Sequence, residues 1–300
     1  MDPTRDLILP HVRPRTVQIL IEKDPDLYQF GTGVLLRIAD SGLLVTAAHV
    51  ADHYSDLFIS VKGQDDDPNL VVSVHQPSQG ILRGTHADGP IAQLSAYSEL
   101  KTPMPKKGRL YDDFDIAVFH LTDEMCTWIN EQSYEWLTTY NLSRAPAGPP
   151  LPSLHRYVIG YPGMHGSVDQ AQRELVTTLF CWKTREFEDQ SERHQKTYEL
   201  TMHLDNTDES LLPDTRGMSG GGVWTTNPQG DIMLVGVQHS QNRSRGLIRA
   251  THVSVMIDMI RKGWPELCPP LNIVLPSRRA LGNLSFEKTS YDDTRSTVGA

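Results

Sequence analysis

The chain has 300 residues, of which 38% are hydrophobic and 22% are charged, a composition typical of a globular protein that buries a core. No stretch approaches the roughly 18 uninterrupted apolar residues of a membrane-spanning helix, so we expect no membrane partner. The formal net charge of −9 argues against a nucleic-acid-binding protein, because neutralising phosphates requires a basic face.

The amino-terminal segment and the cysteines indicate the cellular compartment of the protein. Residues 1–15 are rich in charged side chains and lack an apolar stretch of signal-peptide length, so we expect a short charged lead. Cys126, Cys181 and Cys268 are odd in number and far apart in the sequence. This pattern favours free thiols in a reducing compartment, and we expect a cytoplasmic protein.

Short apolar segments separated by turn residues predict strands in the first part of the chain. These segments are 16–21, 33–38, 42–46, 57–61, 70–74 and 115–121. Residues 125–140 break the pattern, because Met125, Trp128 and Ile129 recur at helical spacing, and they predict a helical insertion. We therefore assign 16–140 to a first β-rich unit.

A proline-rich linker, 141–155, precedes a second strand-rich part. Its predicted strands are 156–161, 176–185, 197–204, 221–224 and 232–238. The stretch 246–262 begins like a strand, and Val253, Met256 and Ile260 then recur at helical spacing, which predicts a terminal helix. We assign 156–265 to a second β-rich unit and 266–300 to a mobile polar tail. The pattern as a whole predicts an all-β fold in two halves.

Three short motifs contain the residue types that nucleophilic catalysis requires. TAAH ends at His49, DIAV begins at Asp115, and GMSGG contains Ser219. A serine hydroxyl needs an imidazole as its base, and the imidazole needs a carboxylate that fixes its tautomer. Each motif alone also fits a structural role, and Asp112 and Asp113 are rivals for the acid. Together the motifs predict a catalytic triad of His49, Asp115 and Ser219.

The glycine before Ser219 has a function in this interpretation. Gly217 allows the backbone to turn so that its own N–H and that of Ser219 point at one spot, which makes an oxyanion hole. No His-Glu-x-x-His string and no paired cysteines occur, so we expect no metal site and no cofactor.

TAAH, DIA and GxSGG in this order resemble the chymotrypsin/trypsin-like serine proteases, and bacterial members of that family in particular. The resemblance covers roughly residues 16–263. It implies two six-stranded antiparallel β-barrels with a C-terminal helix, and an active site in the cleft between the barrels. It also implies a serine endopeptidase that cleaves protein or peptide substrates through an acyl-enzyme on Ser219.

The chain departs from this family at three positions. Val50 stands where secreted relatives often have a cysteine, and Met218 stands where many have an aspartate that pairs with a new N-terminus after zymogen cleavage. We therefore expect no activation by N-terminal trimming. His239 stands approximately where many relatives have a serine that supports the catalytic aspartate.

The absence of an aspartate at Met218 leaves the oxyanion loop with one anchor fewer, and we expect a partner protein or oligomerisation to order the loop. The insertion 125–140 and the tail 266–300 are the candidate docking elements, with Trp128 and Trp136 as the apolar surface. The alternative is that the insertion packs on its own barrel and the tail is idle.

Four residues are candidates for substrate binding. The loop 212–216 and the segment 237–241, which includes Val237 and His239, are expected to form opposite walls of the specificity pocket. Asp214 is a candidate for binding a basic side chain, although a plain surface role fits equally well. Arg216 is a candidate for binding an acidic or C-terminal group, or is simply solvated.

Two other functions use the same residues. The first is a catalytically silent module that binds peptides in the cleft, which an intact triad and Gly217 argue against. The second is an esterase or another acyl-transfer enzyme with the same triad. An α/β-hydrolase is disfavoured, because its triad residues follow the order Ser, Asp/Glu, His.

Overall fold

A computed structural model gives the fold of the chain. It describes residues 2–23, 26–52, 57–60, 71–73, 91–93, 98–101, 114–143, 155–163, 167–169, 174–176, 178–186, 199–205, 214–227, 229–267 and 287–290. The rival acids Asp112 and Asp113, the third cysteine Cys268 and most of the linker 141–155 lie outside these residues.

The described part of the chain contains seventeen strands and five α-helices. The strands are β1 Thr16–Lys23, β2 Asp26–Ile38, β3 Ser41–Thr46, β4 Leu57–Ser60, β5 Val71–Ser73, β6 Ile91–Gln93, β7 Ser98–Lys101, β8 Ala117–His120, β9 Arg156–Gly160, β10 Ser167–Asp169, β11 Glu174–Val176, β12 Phe180–Glu186, β13 Glu199–Leu204, β14 Gly222–Thr226, β15 Ile232–Asn242, β16 Leu247–His252 and β17 Glu287–Ser290. The helices are α1 Pro3–Val12, α2 Ala48–Asp52, α3 Asp123–Glu131, α4 Thr139–Ser143 and α5 Val253–Gly263.

The first half of the chain forms an antiparallel sheet in the order β17-β7-β8-β3-β2-β1-β4-β6. A two-residue turn joins β2 to β3, and β3 then pairs with β8 so that Thr46 lies opposite Ala117. This register places the residues that follow Thr46 beside the residues that precede Ala117. His49 and Asp115 are thereby brought to the same end of the sheet.

The second half forms a closed antiparallel barrel of six strands, in the order β12-β13-β16-β15-β14-β9. Strand β14 begins at Gly222 and pairs with β15 so that Gly222 lies opposite Val237. The loop that carries Ser219 therefore enters the barrel beside the middle of β15. A small third sheet, β10-β11-β5, contains strands from both halves.

These elements confirm that the fold is mostly β, with a six-stranded barrel in the second half and a helix after it. Helix α5 packs on β7 and β8 of the first half and on β15 and β16 of the barrel. Its buried residues belong to one apolar cluster that also contains side chains of α1, β2 and β14. The two halves therefore share a core.

Two peripheral segments contain regular structure that the sequence does not predict. The lead forms α1, whose first backbone N–H groups, those of Thr4 and Arg5, donate hydrogen bonds to the Asp2 side chain. The Asp2 carboxylate also accepts a hydrogen bond from the Tyr157 hydroxyl at 2.9 Å. Residues 287–290 of the expected tail form β17, which pairs with β7. The Lys288 ammonium also donates to the Gly263 carbonyl at 2.9 Å.

The expected helical insertion contains two helices, α3 and α4. The Thr122 hydroxyl caps α3 by accepting the N–H of Met125 at 3.2 Å. Trp128 is buried in the core of the first half, and Trp136 lies under the Arg37 guanidinium, 4.7 Å away. Trp128 therefore offers no apolar docking surface, because the insertion packs on its own sheet, and Trp136 is only partly exposed.

Candidate active site

His49 and Asp115 are joined by two hydrogen bonds. The backbone N–H of His49 donates to Asp115 Oδ1 at 2.9 Å, and His49 Nδ1 lies 2.8 Å from Asp115 Oδ2. Since a carboxylate only accepts, Nδ1 carries the proton and Nε2 is left with a lone pair. This is the tautomer in which an imidazole acts as a general base through Nε2.

Asp115 is held in an unusual backbone conformation beside its partners. Its φ of 33° lies in the left-handed region, which is rare for a residue with a side chain, and the neighbouring Phe114 carbonyl accepts the hydroxyl of Thr251 from the barrel. Burial alone would raise the pKa of Asp115, but the hydrogen bonds from His49 and the charges of His49 and His239 outweigh burial and lower it. The carboxylate is therefore ionised at neutral pH.

His239 connects Ser219 to Asp115. The Ser219 hydroxyl donates to the backbone carbonyl of His239 at 3.4 Å, and His239 Nδ1 lies 3.9 Å from Asp115 Oδ2. Within the described part of the chain, Ser219 Oγ has no hydrogen bond to His49. In unliganded enzymes such bonds are often long and tighten when substrate binds. The structure thus links the three predicted residues through His239, with the Ser219 hydroxyl bonded to a backbone carbonyl.

The five backbone N–H groups from Arg216 to Gly220 alternate between those that donate a hydrogen bond and those that have no acceptor among the described residues. Those of Arg216, Met218 and Gly220 donate to Asp214 Oδ1, to the Thr215 carbonyl and to the Gln238 carbonyl, at 3.0, 2.9 and 2.7 Å. Those of Gly217 and Ser219 have no acceptor among the described residues. These are the two donors from which the sequence predicts an oxyanion hole.

Thr32 of β2, which the sequence analysis missed, fixes this loop from the opposite half. Its N–H donates to the Ser219 carbonyl at 2.8 Å, and its hydroxyl donates to the Gly217 carbonyl at 3.0 Å. The same hydroxyl accepts the N–H of Tyr161 at 3.0 Å. No motif marks a lone threonine in a strand, so only the pairing of β2 with the loop reveals its role.

Two glycines allow this close approach. Gly217 has a φ of +89°, and an added Cβ would lie 2.4 Å from the backbone nitrogen of Gly163. Gly220 has a φ of +94°, and its Cβ would lie 1.9 Å from the Thr32 carbonyl oxygen and 2.1 Å from the Thr46 hydroxyl. Both positions therefore require glycine for conformation and for space.

Met218 anchors the loop in a different way from an ion-paired aspartate. Its side chain is completely buried and belongs to the apolar cluster of the barrel, with Val158, Met202 and Val223. The Arg216 carbonyl also accepts the N–H of Gly163 at 2.7 Å. The loop thus has apolar and polar anchors within the chain itself.

The four predicted substrate-binding residues occupy different environments. Val237 is fully buried in the apolar cluster that the two halves share, so its side chain does not line an open pocket wall. Asp214 is buried and paired with Arg216 and Arg243, His239 faces Asp115, and only Arg216 of the four is exposed. Gln241, which was not singled out, reaches across from β15 and accepts the N–H and hydroxyl of Thr215 at 3.1 and 2.8 Å.

Other kinds of site find no support among the described residues. No group of three or more His, Cys, Asp or Glu side chains there is placed to hold a metal ion. No helix in the same residues is long and apolar enough to span a membrane. Comparison of the sequence with family models gives no match, and comparison with curated proteins gives none either.

Proposed function

We propose that this protein is a cytoplasmic serine endopeptidase of chymotrypsin-like, two-barrel architecture, with Ser219 as nucleophile, His49 as base and Asp115 as orienting acid. The observation that carries the proposal is the pair of N–H groups at Gly217 and Ser219 that have no acceptor in the described part of the chain, together with the hydrogen-bonded His49–Asp115 pair. A loop that binds no ligand gains no stability from leaving two donors without an acceptor.

In the proposed reaction, Ser219 Oγ turns from the His239 carbonyl and attacks the substrate carbonyl carbon while His49 Nε2 takes its proton. The carbonyl oxygen becomes an oxyanion and accepts the N–H groups of Gly217 and Ser219. His49 then gives the proton to the leaving amine, which breaks the C–N bond and leaves an acyl group on Ser219. Water, deprotonated by the same imidazole, releases the acid and restores the serine.

Asp115 has two functions in this scheme. Its carboxylate keeps the proton of His49 on Nδ1, and its negative charge stabilises the imidazolium that forms during attack. The lowered pKa of Asp115 ensures that the carboxylate stays ionised at neutral pH. Asp115→Asn replaces an acceptor by an amide and favours the wrong tautomer, so the expected loss is in rate, about 10⁴-fold, and not in folding.

This proposal needs no partner protein to form the oxyanion site, since Thr32, Gly163 and buried Met218 hold the loop. We therefore expect purified full-length protein to be active, which departs from the regulatory partner that the sequence suggested. Regulation by a partner would have to act on another step, such as access of substrate to the cleft.

The experiment that tests the proposal is active-site labelling with a fluorophosphonate, followed by hydrolysis of a mixed peptide library. The full chain should be labelled at Ser219, and Ser219→Ala should remove both labelling and peptide cleavage. Ser244→Ala, at an exposed serine on a turn, is the matched control and should retain both. Labelling that survives in Ser219→Ala would refute the assignment.

Two outcomes favour the other candidate functions. A folded wild-type protein that is neither labelled nor able to hydrolyse any substrate would favour the silent peptide-binding module. Labelling with turnover of activated esters, but no cleavage of any peptide in the library, would favour the esterase.

A further inference from the structure

The charged side chains just before the oxyanion loop form a compact cluster. Asp214 is only 2% exposed, and its carboxylate contacts two arginines that are themselves 83% (Arg216) and 60% (Arg243) exposed. Arg216 Nε and Nη2 lie 2.7 and 2.5 Å from Asp214 Oδ2, and Arg243 Nη1 lies 3.3 Å from the same oxygen. The hydrogen bonds from Arg216 lower the pKa of Asp214, so the carboxylate is ionised.

This arrangement removes Asp214 as a site for a basic substrate side chain. Its charge is already neutralised inside the chain, and a substrate lysine or arginine would have to displace two guanidinium groups. Two cations and one anion leave the cluster with a charge of +1, and the positive groups are the ones that face solvent. The local sign is opposite to the net charge of −9 of the whole chain.

The cluster adjoins the reacting groups. Arg216 directly precedes Gly217, whose N–H is one of the two open donors, so its Cα lies about 3.8 Å from that of Gly217. Gln241 joins the loop to β15 through its hydrogen bonds to Thr215. The guanidinium groups of Arg216 and Arg243 are exposed, so a substrate carboxylate can approach them from solvent.

We propose that Arg216 and Arg243 bind the carboxylate of a substrate Glu or Asp, the residue whose carbonyl group Ser219 attacks. This inference rests on the proposed function and adds a substrate class to it. A guanidinium has five N–H donors, and Arg216 directs only two of its three nitrogens at Asp214, so donors remain for a second carboxylate. Asp214 fixes the arginine in position, and the substrate carboxylate completes the charge balance.

The test uses end-blocked peptides that are identical except for Glu, Asp, Gln, Leu, Lys or Arg before the scissile bond. Wild-type full-length protein should cleave the Glu peptide with a kcat/KM roughly five- to tenfold above that of the Gln peptide, the range for partly solvated charge pairs. Arg243→Gln should reduce this Glu/Gln ratio, and Arg216→Glu should reverse the preference towards Lys. Arg245→Gln, at an exposed arginine of the same turn, is the charge-matched control and should leave the ratio unchanged.

The two proposals fail in different ways. If the wild-type protein hydrolyses no peptide and is not labelled at Ser219, the proposed function fails. If it is labelled and cleaves peptides but prefers Lys, Arg or Leu at this position, only the acidic subsite is overturned. A second set of the same peptides with a free C-terminal carboxylate is assayed in parallel, and cleavage limited to that set also overturns the subsite. The Glu/Gln ratio of the wild type should shrink as salt is raised, and a salt-independent ratio would likewise contradict an ionic contact.

Discussion

Replacing Thr32 by valine tests whether the oxyanion loop depends on the opposite half of the chain. The substitution keeps the shape of the side chain and removes the hydroxyl, which accepts the Tyr161 N–H and donates to the Gly217 carbonyl, both at 3.0 Å. Tyr161 is fully buried, so its N–H is left without a partner at a cost of about 1–3 kcal/mol. Gly217 is partly exposed and its carbonyl can be hydrated, which adds roughly 0.5–1.5 kcal/mol.

The free energy of unfolding should therefore fall by roughly 2–4 kcal/mol, or about 5–15 °C in Tm for a chain of this size. The kcat should also fall, because the oxyanion loop loses the Thr32–Gly217 hydrogen bond and keeps the Gly163–Arg216 hydrogen bond. Loss of a complete oxyanion donor costs about 10²–10³ in kcat. Since Gly163 still holds the Arg216 carbonyl, we expect a smaller loss in Thr32→Val, about tenfold in kcat with little change in KM.

The assay combines urea unfolding with steady-state hydrolysis of one peptide, and Thr184→Val is the matched control. Thr184 is also a buried strand threonine, and its hydroxyl donates to the Arg156 carbonyl at 3.1 Å, within the barrel. This control should lose about 1–2 kcal/mol of stability and keep its kcat. Equal kcat values in the two variants, measured well below both unfolding midpoints, would refute the positioning role of Thr32.

Three further predictions concern other parts of the molecule. Gly220→Ala should prevent folding or cost several kcal/mol, because the added Cβ meets backbone atoms. Gly230→Ala, at a similar φ of +87° but with no described atom within 4 Å of the added Cβ, should cost only about 1–2 kcal/mol. Thermal unfolding of both variants measures the contribution of close packing. Burial, followed by the charge of Arg156, lowers the pKa of His252 to about 4, so the folded state resists protonation of this side chain. The free energy of unfolding should therefore fall as pH drops from about 6.5 towards 4. It should fall less in His252→Asn, whose neutral side chain still caps α5 by accepting a hydrogen bond from the Ser254 N–H. Burial raises the pKa of the Cys181 thiol to about 12, so iodoacetamide should modify this thiol only after the protein unfolds. Because Cys126 and Cys181 are free, Tm should not change in dithiothreitol, and a large drop in Tm would reveal a disulfide.

The sequence predicts the strands of the core well, because their residues alternate or run apolar between clear turn signals. It places both ends of β3 and β8 to within two residues and the start of β15 correctly, but it finds only the second half of β2. The motif spacing also predicts that Gly217 has a special conformation, which its positive φ bears out. These features depend on local sequence, and local sequence is what a single chain displays.

The prediction is weaker where a role depends on contacts between distant segments. The sequence predicts Val237 in a pocket wall, but packing of distant elements buries it in the apolar cluster that the two halves share. Trp128 was expected at the surface, but α3 folds back onto the sheet and buries it. Asp214 was a candidate cation site, and only the structure reveals that Arg243, 29 residues later, already occupies its carboxylate.

The same long-range contacts imply that catalysis and the association of the two halves are coupled. Thr32 on β2 binds the Ser219 loop, Gly220 packs against Thr46 three residues before His49, and His239 of the barrel faces Asp115 of the first half. The halves also share an apolar cluster through α5, so separating them exposes that cluster as well as breaking these bonds. Destabilising the shared core therefore disturbs the distance between base and nucleophile before either half unfolds alone. A core substitution far from Ser219, such as Met256→Ala in α5, should lower kcat under conditions where circular dichroism still reports folded strands.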